Sequence, residues 1–501
     1  MSQTVPTTST STSPSKDSRW LALYVLCTGM LMIVLDMTIV NVALPAIQTD
    51  LGFSQSSLAW VVNAYLIAFG GLLLLAGRLG DLIGRKRVFL TGLGVFTVAS
   101  ILCGVSTSSA MLIGARFVQG VGGAMATAVT LGMIVTMFPK PAEQAKAIGV
   151  FSFVAAAGAS VGLLLGGVLT QGLSWHWIFF VNIPIGIVAA LLTSRLVKSD
   201  KGIGFGEGAD VLGAVLVTAA LMLTVYTIVK TDEHSWGSAH TLGLGALAIV
   251  LLAGFIVRQL TAANPLLPMR IFKSRNVSGA NLIQIMMVAG MFAMFFLGTL
   301  YMQQVLGYDA LEVGLGFMPT ALAIGGLSVG LSARLITRFG ARPVLIVGLV
   351  SILAGLLLFT RVPVGGDYFA DVLGPVLLVG IGAGLSFPSL MTLAMSGATP
   401  SDAGLASGLV NTTAQVGGAL GLAVLATLST SRTVSRLAEG SDRLTALTSG
   451  YHLAFGIGAA LVLVAVVLAV GMLQPAPAMQ PHGEFGADEP AGEPADEPAR
   501  A

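Results

Sequence analysis

Along this sequence, long runs of apolar residues alternate with short polar connections. Each run has 18 or more residues, which is enough for a helix rising about 1.5 Å per residue to cross a hydrocarbon layer about 30 Å thick. We count fourteen such runs between Trp20 and Leu473. The pattern therefore predicts an all-α integral membrane protein. The predicted spans are 20–41, 57–77, 88–106, 110–137, 147–169, 176–194, 211–229, 240–260, 277–302, 312–333, 343–360, 372–395, 405–428 and 453–473.

The order of glycine and basic residues repeats along the chain. The segment from Gly77 to Val88 aligns with the segment from Ala333 to Val344 at an offset of 256 residues. Glycines of the fourth and fifth spans recur in the twelfth and thirteenth at offsets of 259 or 260. Matches in order at a nearly constant offset indicate a duplicated six-helix unit, which is typical of transporters. The seventh and eighth spans are then a pair inserted between the copies.

This repeat divides the chain into five predicted parts. The two end segments are rich in Ser and Thr or in Glu, Pro and Ala, so neither can bury a core and both are predicted to be disordered. The parts are a tail over 1–18, a six-helix bundle over 19–197, two inserted helices with linkers over 198–275, a second six-helix bundle over 276–474 and an acidic tail over 475–501.

Composition excludes an ordinary soluble protein. The chain is 55% hydrophobic and 10% charged, whereas soluble proteins have roughly 25% charged residues. The net charge of +2 provides no field that would favour nucleic acid as a partner. Cys27 and Cys103 both lie inside apolar runs, so they indicate neither a disulfide framework nor a metal site.

Lys and Arg are concentrated in alternate loops. With a cytoplasmic N-terminus, only five of the 25 basic residues fall in external loops: Lys230, Arg361, Arg432, Arg436 and Arg443. Basic residues favour the cytoplasmic side of a membrane. We therefore expect a plasma-membrane protein with both termini in the cytoplasm.

Two charged residues lie well inside predicted spans, Asp36 in the first and Arg116 in the fourth. A charge in hydrocarbon costs several kcal/mol unless it faces water or a partner, so such residues are candidates for function. Counting residues from the span ends places both at a similar depth. Two interpretations are open: a fixed ion pair that ties the first span to the fourth, or an acid that binds protons beside a modulating arginine.

The loop between the second and third spans reads GRLGDLIGRKR (77–87). Its glycines permit a tight turn, and its carboxylate can accept hydrogen bonds from a helix N-terminus or an arginine. The basic residues could instead serve only as a topology signal. The candidate residues in this loop are Gly77, Asp81, Gly84, Arg85 and Lys86.

Glycines punctuate the fifth span. Small residues let membrane helices approach closely, so this face is predicted to pack against a neighbouring helix. A generic packing role and a role specific to transport are both open. The glycines are Gly149, Gly158, Gly162, Gly166 and Gly167.

These segments resemble the signatures of a known family. The loop GRLGDLIGRKR is similar to that of the major facilitator superfamily, and LDMTIVNVALP (35–45) resembles the first-span signature of its fourteen-span drug:proton antiporters. Arg116, Gln119 and Gly120 match the fourth-span signature of these antiporters.

Two further segments match the same family with one departure each. The glycines of the fifth span resemble the antiporter signature, but Leu163 stands where Pro is usual, which removes the expected kink. The phrase WHWIFFVNIPIG (175–186) resembles the family with His176 where Arg is more common. The resemblance covers about residues 20–473.

The resemblance implies the major facilitator fold, with two six-helix bundles around a central cavity that opens alternately to each side. Asp36 would bind the proton, Arg116 would modulate its ionisation, and Asp81 with Arg85 would form part of a cytoplasmic latch. Substrate and proton are expected to compete for one cavity. The residues expected to line the cavity are Thr38, Asn41, Gln119, Asn411 and Gln415.

The sequence as a whole predicts a proton-coupled exporter of hydrophobic or amphipathic, neutral or monocationic drugs. Expected partners are a small-molecule drug, protons and the lipid bilayer, with the monomer as the working unit. No cofactor, metal or enzymatic activity is expected, and a phosphate-binding GxxxxGK[ST] loop is absent from the sequence. The alternatives are export of a metabolite such as an amino acid, siderophore or lipid, and a membrane sensor or scaffold that transports nothing.

Overall fold

The computed structural model describes residues 16–54, 57–138, 140–200, 202, 204, 209–232, 234–396 and 403–474. Within these ranges all regular secondary structure is helical. The predicted acidic tail and residues 1–15 of the predicted N-terminal tail lie outside the described residues. The first helix begins at Lys16, so residues 16–18 are helical and not part of a tail.

The first half of the chain contributes seven helices, the last two of which together form the sixth span. They are α1 (Lys16–Leu51), α2 (Trp60–Ile83), α3 (Arg85–Gly104), α4 (Ser109–Met137), α5 (Pro141–Gly172), α6 (Trp177–Phe180) and α7 (Asn182–Leu196).

The inserted pair and the second half follow along the chain. The inserted helices are α8 (Val211–Val229) and α9 (Ala239–Thr261). The second half consists of α10 (Arg275–Gln304), α11 (Ala310–Gly326), α12 (Ser332–Phe339), α13 (Ala341–Phe359), α14 (Leu373–Ser396), α15 (Ala403–Ala438) and α16 (Arg443–Gly471).

All fourteen predicted spans coincide with helices. Among the described residues, twelve helices are long and apolar enough to cross a membrane. The other two predicted spans correspond to α5 and to α11, which continues through a π-helical turn, Leu327–Leu331, into α12. The all-α membrane architecture predicted from the sequence is therefore confirmed.

Several helix ends differ from the predicted spans because polar residues extend the helices beyond the apolar runs. The predicted thirteenth span ends at residue 428, whereas α15 continues to Ala438. The predicted fourteenth span begins at residue 453, whereas α16 begins at Arg443. The Asp442 side chain accepts a hydrogen bond from the Thr445 N–H, which fixes this earlier start.

Helices pack closely within each half and along two seams between the halves. In the first half α4 packs on α2 and α3, and α1 packs on α5 and α7. In the second half α10 packs on α15 and α16, and α13 on α14. The halves meet where α5 packs on α11 and where α2 packs on α15.

Side-chain hydrogen bonds join the halves at the end of the bundle remote from Lys16 and Gly471, which we call the far end; the opposite end is the terminal end. Gln303 donates to the Val42 carbonyl over 3.1 Å, and Gln304 donates to Gln48 over 3.3 Å. Gln171 donates to Asp309 over 2.8 Å. The far ends of α1, α5 and α10 are therefore held together in this structure.

The inserted helices lie against one of the two seams. α8 packs on both α2 and α15, so it contacts both halves of the molecule. α9 packs on α8, and only 11% of its most apolar 18-residue stretch is buried inside the molecule. The pair therefore forms a peripheral layer over the α2–α15 seam.

The turn between α2 and α3 in the first half resembles the turn between α12 and α13 in the second. Gly84 and Gly340 both have positive φ values, 99° and 87°, which glycine adopts without strain. Two residues later, Lys86 donates to the Ser194 carbonyl at the end of α7, and Arg342 donates to the Ala469 carbonyl near the end of α16. A basic residue at the equivalent position therefore ties α3 to α7 in the first half and α13 to α16 in the second.

Gly166 brings α5 into contact with the backbone of α1. A Cβ at Gly166 would lie 2.8 Å from the Ile39 carbonyl oxygen, an atom that cannot move without shifting the helix. Gly166→Ala should therefore lower the free energy of unfolding by about 1–3 kcal/mol, as overpacking does. The measurement is the thermal unfolding midpoint of the purified protein.

The matched control is Gly172→Ala at the end of the same helix, where a Cβ meets no atom within 4 Å. This control should unfold at or above the wild-type temperature. Equal midpoints for Gly166→Ala and Gly172→Ala would contradict the packing described for α1 and α5.

Candidate functional site

Asp36 and Arg116 form an ion pair inside the first half. Asp36 lies near the middle of α1 and is fully buried, and Arg116 on α4 is 1% exposed. Arg116 Nη1 lies 2.6 Å from Asp36 Oδ2. The two residues that the sequence placed at one depth are thus in direct contact.

Amide side chains complete the surroundings of the carboxylate. Gln119, one helical turn after Arg116, donates to Asp36 Oδ1 over 2.8 Å, and Asn182 at the start of α7 donates to the same oxygen over 3.0 Å. Ser100 on α3 accepts hydrogen bonds from both amides. Four helices therefore converge on one carboxylate.

The guanidinium of Arg116 has partners besides Asp36. Its Nε donates to the Val61 carbonyl over 2.9 Å, and its Nη1 also donates to Gln119 Oε1 over 2.6 Å. The guanidinium carbon lies 4.4 Å from the centre of the Tyr65 ring, a cation–π contact. Arg116 is therefore held in place by α2 as well as by α1.

This arrangement stabilises a charged carboxylate away from water. Both oxygens of Asp36 accept hydrogen bonds, and Arg116 supplies the compensating charge. Removing one partner of such a buried pair destabilises a protein by about 3–5 kcal/mol because the other charge is left uncompensated. A proton on Asp36 would also remove the charge that compensates Arg116. Arg116 would then keep only its other partners, the Val61 carbonyl, Gln119 and the Tyr65 ring.

The residues expected to line a cavity occupy different surroundings. Gln119 is fully buried within the Asp36 site, where its amide contacts Asp36, Arg116 and Ser100. Thr38 and Asn41 are partly buried on another side of α1. Their side chains donate to α1 carbonyls, Thr38 to Leu35 and Asn41 to Met37.

The two candidates on α15 lie near the second half's seam with α2. Asn411 is exposed and donates to the Ser407 carbonyl over 3.1 Å. The Gln415 side chain lies against Gly70 of α2, where a Cβ would approach Gln415 Cβ to 2.7 Å. The structure thus brings none of Thr38, Asn41, Asn411 or Gln415 into the Asp36 site.

The glycines of the fifth span face two different helices. Gly158, Gly162 and Gly166 lie against α1, whereas Gly167 lies against the start of α11 in the other half. Gly149 belongs to α5, but its surroundings lie outside the described residues. α5 runs through Leu163 without a break, and the side chain of Leu163 is buried.

The loop between α2 and α3 is organised by its own ion pair. Arg85 Nη2 lies 3.1 Å from Asp81 Oδ1, and Arg85 Nη1 donates to the Gly132 carbonyl of α4 over 3.2 Å. Gly84 forms the turn with its positive φ, while a Cβ at Gly77 would meet no atom within 4 Å. The contacts of Asp81, Arg85 and Lys86 in the described residues bind this loop to the first half and the segment after α7.

Asp200, which sequence reasoning did not identify, caps α3. Its carboxylate accepts hydrogen bonds from the backbone N–H groups of Arg85, over 2.8 Å, and Lys86, over 3.2 Å. Partial burial raises the pKa of Asp200, but the backbone donors of Arg85 and Lys86, together with its own backbone N–H and the charge of Arg85, hold the pKa below its ordinary value. The loop after the sixth span therefore fixes the start of the third.

A second buried carboxylate joins the inserted helices at the terminal end. Asp210 caps α8 and accepts hydrogen bonds from Arg258, over 2.9 Å, and Gln259, over 2.8 Å, both on α9. Burial raises the pKa of Asp210, but the hydrogen bond from Arg258 and the other donors hold it below its ordinary value. Gln259 in turn accepts from the Leu267 N–H, which links the pair to the segment leading into α10.

No side-chain cluster suited to a metal ion occurs among the described residues: they contain no group of three or more His, Cys, Asp or Glu with the required proximity. Cys27 and Cys103 are buried as free thiols, in agreement with the sequence. Cys103 donates to Gln119 Oε1 over 3.7 Å and so belongs to the edge of the Asp36 site.

Comparison with known proteins places these features in context. The profile of the Major Facilitator Superfamily matches residues 26–422. The chain is 39% identical over 474 residues to the cephamycin export protein CmcT of Amycolatopsis lactamdurans, covering 94% of this chain and 95% of that protein. It is 36% identical to the puromycin resistance protein pur8 of Streptomyces alboniger, with 93% of each chain covered.

A solved structure of a bacterial homologue of the human lysosomal transporter Spinster, inward-facing and unoccupied, has a similar fold. It superposes with a TM-score of 0.65 at 15% sequence identity, covering 91% of this chain and 97% of that one. The similarity supports a common helical arrangement.

The cap at Asp200 leads to a prediction about stability. Asp200→Ala should lower the free energy of unfolding by about 1 kcal/mol, the usual effect of losing an N-cap. Because the pKa of Asp200 is lowered in the folded protein, this contribution is complete above the ordinary aspartate pKa of about 3.9 and is lost as the pH falls through the lower folded value.

Thermal unfolding of wild type, Asp200→Ala and Asp200→Asn over a range of acidic pH checks this prediction. The Asn variant keeps one acceptor oxygen, so it should lie between the other two at neutral pH. Identical stability of all three proteins at neutral pH would mean that the cap contributes nothing.

Proposed function

The chain belongs to the major facilitator superfamily, and from this premise we propose that it is an antiporter that exports antibiotic-like drugs in exchange for protons. Relatives at 36–39% identity over nearly the whole chain are named for antibiotic export and resistance, which supports drug export over export of a metabolite. The observation that carries proton coupling is the carboxylate of Asp36, fully buried within a membrane span beside Arg116. The protein acts as a transporter and not as an enzyme.

In this proposal Asp36 binds and releases one proton in each transport cycle. When Asp36 is ionised, its ion pair with Arg116 ties α1 to α4. Protonation removes that attraction, and Arg116 retains the Val61 carbonyl, Gln119 and the Tyr65 ring as partners. Because these partners stabilise the guanidinium, the proton weakens the link between the two helices without leaving Arg116 without a partner.

The burial of Asp36 favours indirect coupling between substrate and proton. Both carboxylate oxygens are occupied and the side chain is inaccessible, so a substrate cannot touch it in this conformation. Thr38 and Asn41 lie on another, partly exposed side of the same helix. We propose that a neutral or monocationic drug displaces α1 through this side and thereby changes the proton affinity of Asp36.

The proposed setting is the plasma membrane, with a monomer as the working unit and both chain termini in the cytoplasm. The terminal end of the bundle is then cytoplasmic. In this orientation the hydrogen bonds at the far end close the external side. Export would require Gln303, Gln304 and Gln171 to release their partners in the other half.

We further propose that Asp81 and Arg85 act as a latch that controls the rate of this movement. Both lie at the terminal end, remote from Asp36, so Asp81→Asn should slow export and change the affinity for substrate by no more than a few fold. Equilibrium binding and transport by the purified, reconstituted variant measure the two quantities separately. Arg87→Gln, a charge change on an exposed side chain of the same loop, is the control; lost affinity with normal turnover would reverse the assignment.

Asp36→Asn tests the proton site directly. The amide keeps the size of the side chain but cannot carry the proton, so uphill export driven by a pH gradient should fall to the background of empty liposomes while substrate binding persists. The assay uses proteoliposomes and the antibiotic or dye that the wild-type protein transports best in a panel. Downhill exchange of the same drug in the absence of a pH gradient should continue.

The matched control is Glu439→Gln, the same acid-to-amide change. Glu439 follows α15 directly and forms an exposed ion pair with Arg436 in the last turn of that helix. The variant should transport as well as wild type. If Asp36→Asn still concentrates drug against its gradient, another acid couples transport to protons, and Asp309 or Glu312 at the start of α11 would be examined next.

A further inference from the structure

Asn182 has a feature that the ion pair does not explain. Its side chain is fully buried, its Nδ2 donates to Asp36 Oδ1 over 3.0 Å, and its own carbonyl oxygen Oδ1 is buried without a hydrogen-bond partner in the described structure. A buried carbonyl oxygen without a donor destabilises the folded protein, because its lost hydration is not replaced. An acceptor therefore lies unused beside the acid that is proposed to bind protons.

The ionised and protonated forms of a carboxyl group require different neighbours. The ionised group only accepts hydrogen bonds, whereas the protonated group has one O–H that needs an acceptor. Around Asp36 the amides of Gln119 and Asn182 and the guanidinium of Arg116 all donate. The site as it stands therefore suits the ionised form, and protonation requires one neighbour to become an acceptor.

Arg116 and Gln119 are not able to make this change. A guanidinium has only donors, and Arg116 is fixed by the Val61 carbonyl. Gln119 Oε1 accepts from Arg116 over 2.6 Å, so reversing that amide would direct its NH2 group at the cation. Gln119 is therefore locked in its present orientation by Arg116.

Asn182 has no comparable constraint. Because its Oδ1 accepts no hydrogen bond, a reversal of the amide breaks none at that atom. Its second contact, from Nδ2 to Ser100 over 3.4 Å, is long and shared with Gln119. Ser100 also donates to the Phe96 carbonyl, so its hydroxyl hydrogen must turn from that carbonyl to Asn182 Oδ1 when the amide reverses.

We propose that the Asn182 amide reverses when Asp36 is protonated, so that Asn182 Oδ1 accepts a hydrogen bond from the new carboxyl O–H. Asn182 is then a positioning residue that gives the buried acid a partner in both protonation states. The acid can load its proton without leaving its pocket. This inference rests on the proposed function, because it assumes that Asp36 is the group that titrates.

The other titratable groups around Asp36 do not supply the acceptor. Arg116 on α4 is a cation, and Tyr65 on α2 presents its ring face to that cation. Cys103 on α3 is directed at Gln119. Among the described residues of α7, Asn182 is the side chain that hydrogen-bonds to the carboxylate.

Infrared difference spectroscopy between acidic and alkaline pH can test the proposal on the full-length protein in lipid nanodiscs. The probe is the proton itself, so no substrate is needed. A protonated carboxyl gives a C=O stretching band whose frequency falls when its O–H donates a hydrogen bond. Asp36→Asn should abolish this band, which assigns it.

Asn182→Leu removes both the donor and the acceptor with little change in volume. The Asp36 band should then shift up to the frequency of a carboxyl without a hydrogen bond. Asn182→Thr restores a group that can donate and accept, and its band should return to the lower frequency. Labelling asparagine with ¹⁵N in the wild-type protein should shift an amide band in the same difference spectrum.

Thr193→Val is the matched control on the same helix, because Thr193 is fully buried and its hydroxyl also has no partner in the described structure. It should leave the Asp36 band unchanged. An unshifted band in Asn182→Leu would overturn the role of Asn182. If Asn182→Leu does not fold, the labelling experiment decides. Identical amide bands in the difference spectra of the unlabelled and the ¹⁵N-labelled wild type would then overturn the reversal of the Asn182 amide.

The failure of the proposed function would look different. If no carboxyl band in the wild-type spectrum disappears in Asp36→Asn, then Asp36 does not titrate and the proton site lies elsewhere. A band that is lost in Asp36→Asn but is insensitive to Asn182 leaves the proton site intact and rejects only the reversal of the amide.

Discussion

The need to surround one buried carboxyl group with hydrogen-bond partners constrains how the first half of this chain is packed. Asp36 is fully buried, and Arg116, Gln119 and Asn182 offset the cost of removing it from water by replacing its lost hydration. These partners come from α4 and α7, so α1, α4 and α7 must keep a fixed register. Glycines along α5 and α4 meet this requirement by letting the helix backbones approach closely, as Gly166 does against Ile39.

The same site shows what the sequence can and cannot predict. Charges inside apolar spans are rare, and counting 1.5 Å per residue placed Asp36 and Arg116 at one depth, so their contact was predictable. Asn182 gave no such signal, because a neutral amide within an apolar phrase has many structural explanations. Asp200 was unpredictable for another reason: it lies in a polar linker and caps a helix that begins 115 residues earlier. Helix lengths were underestimated where polar residues extend α15 and α16, since apolar runs report the membrane core and not the ends of helices.

The two halves repeat one architecture but carry different chemistry. A Cβ at Gly162 of α5 would lie 2.9 Å from the Leu35 carbonyl oxygen, and one at Gly421 of α15 would lie 2.7 Å from that of Ala289. The residue after Leu35 is Asp36, and the residue after Ala289 is Gly290. The second half thus has a glycine where the first has its acid, and Gly290 packs on Gly458 of α16. The two halves therefore carry one buried carboxylate at this position, in the first half. The second half has glycine there and does not bear the cost of removing a carboxylate from water.

The inserted pair affects how an apolar solute can approach the molecule. α8 contacts both α2 and α15, and α9 covers the outer surface of α8. A compound dissolved in the lipid therefore meets the α8–α9 hairpin on this side and not the boundary between the halves. On the opposite side α5 packs on α11, and among the described residues neither inserted helix packs closely on that seam. The two seams between the halves thus differ in their surroundings: the inserted pair covers the α2–α15 seam, and the α5–α11 seam lies on the other side of the molecule.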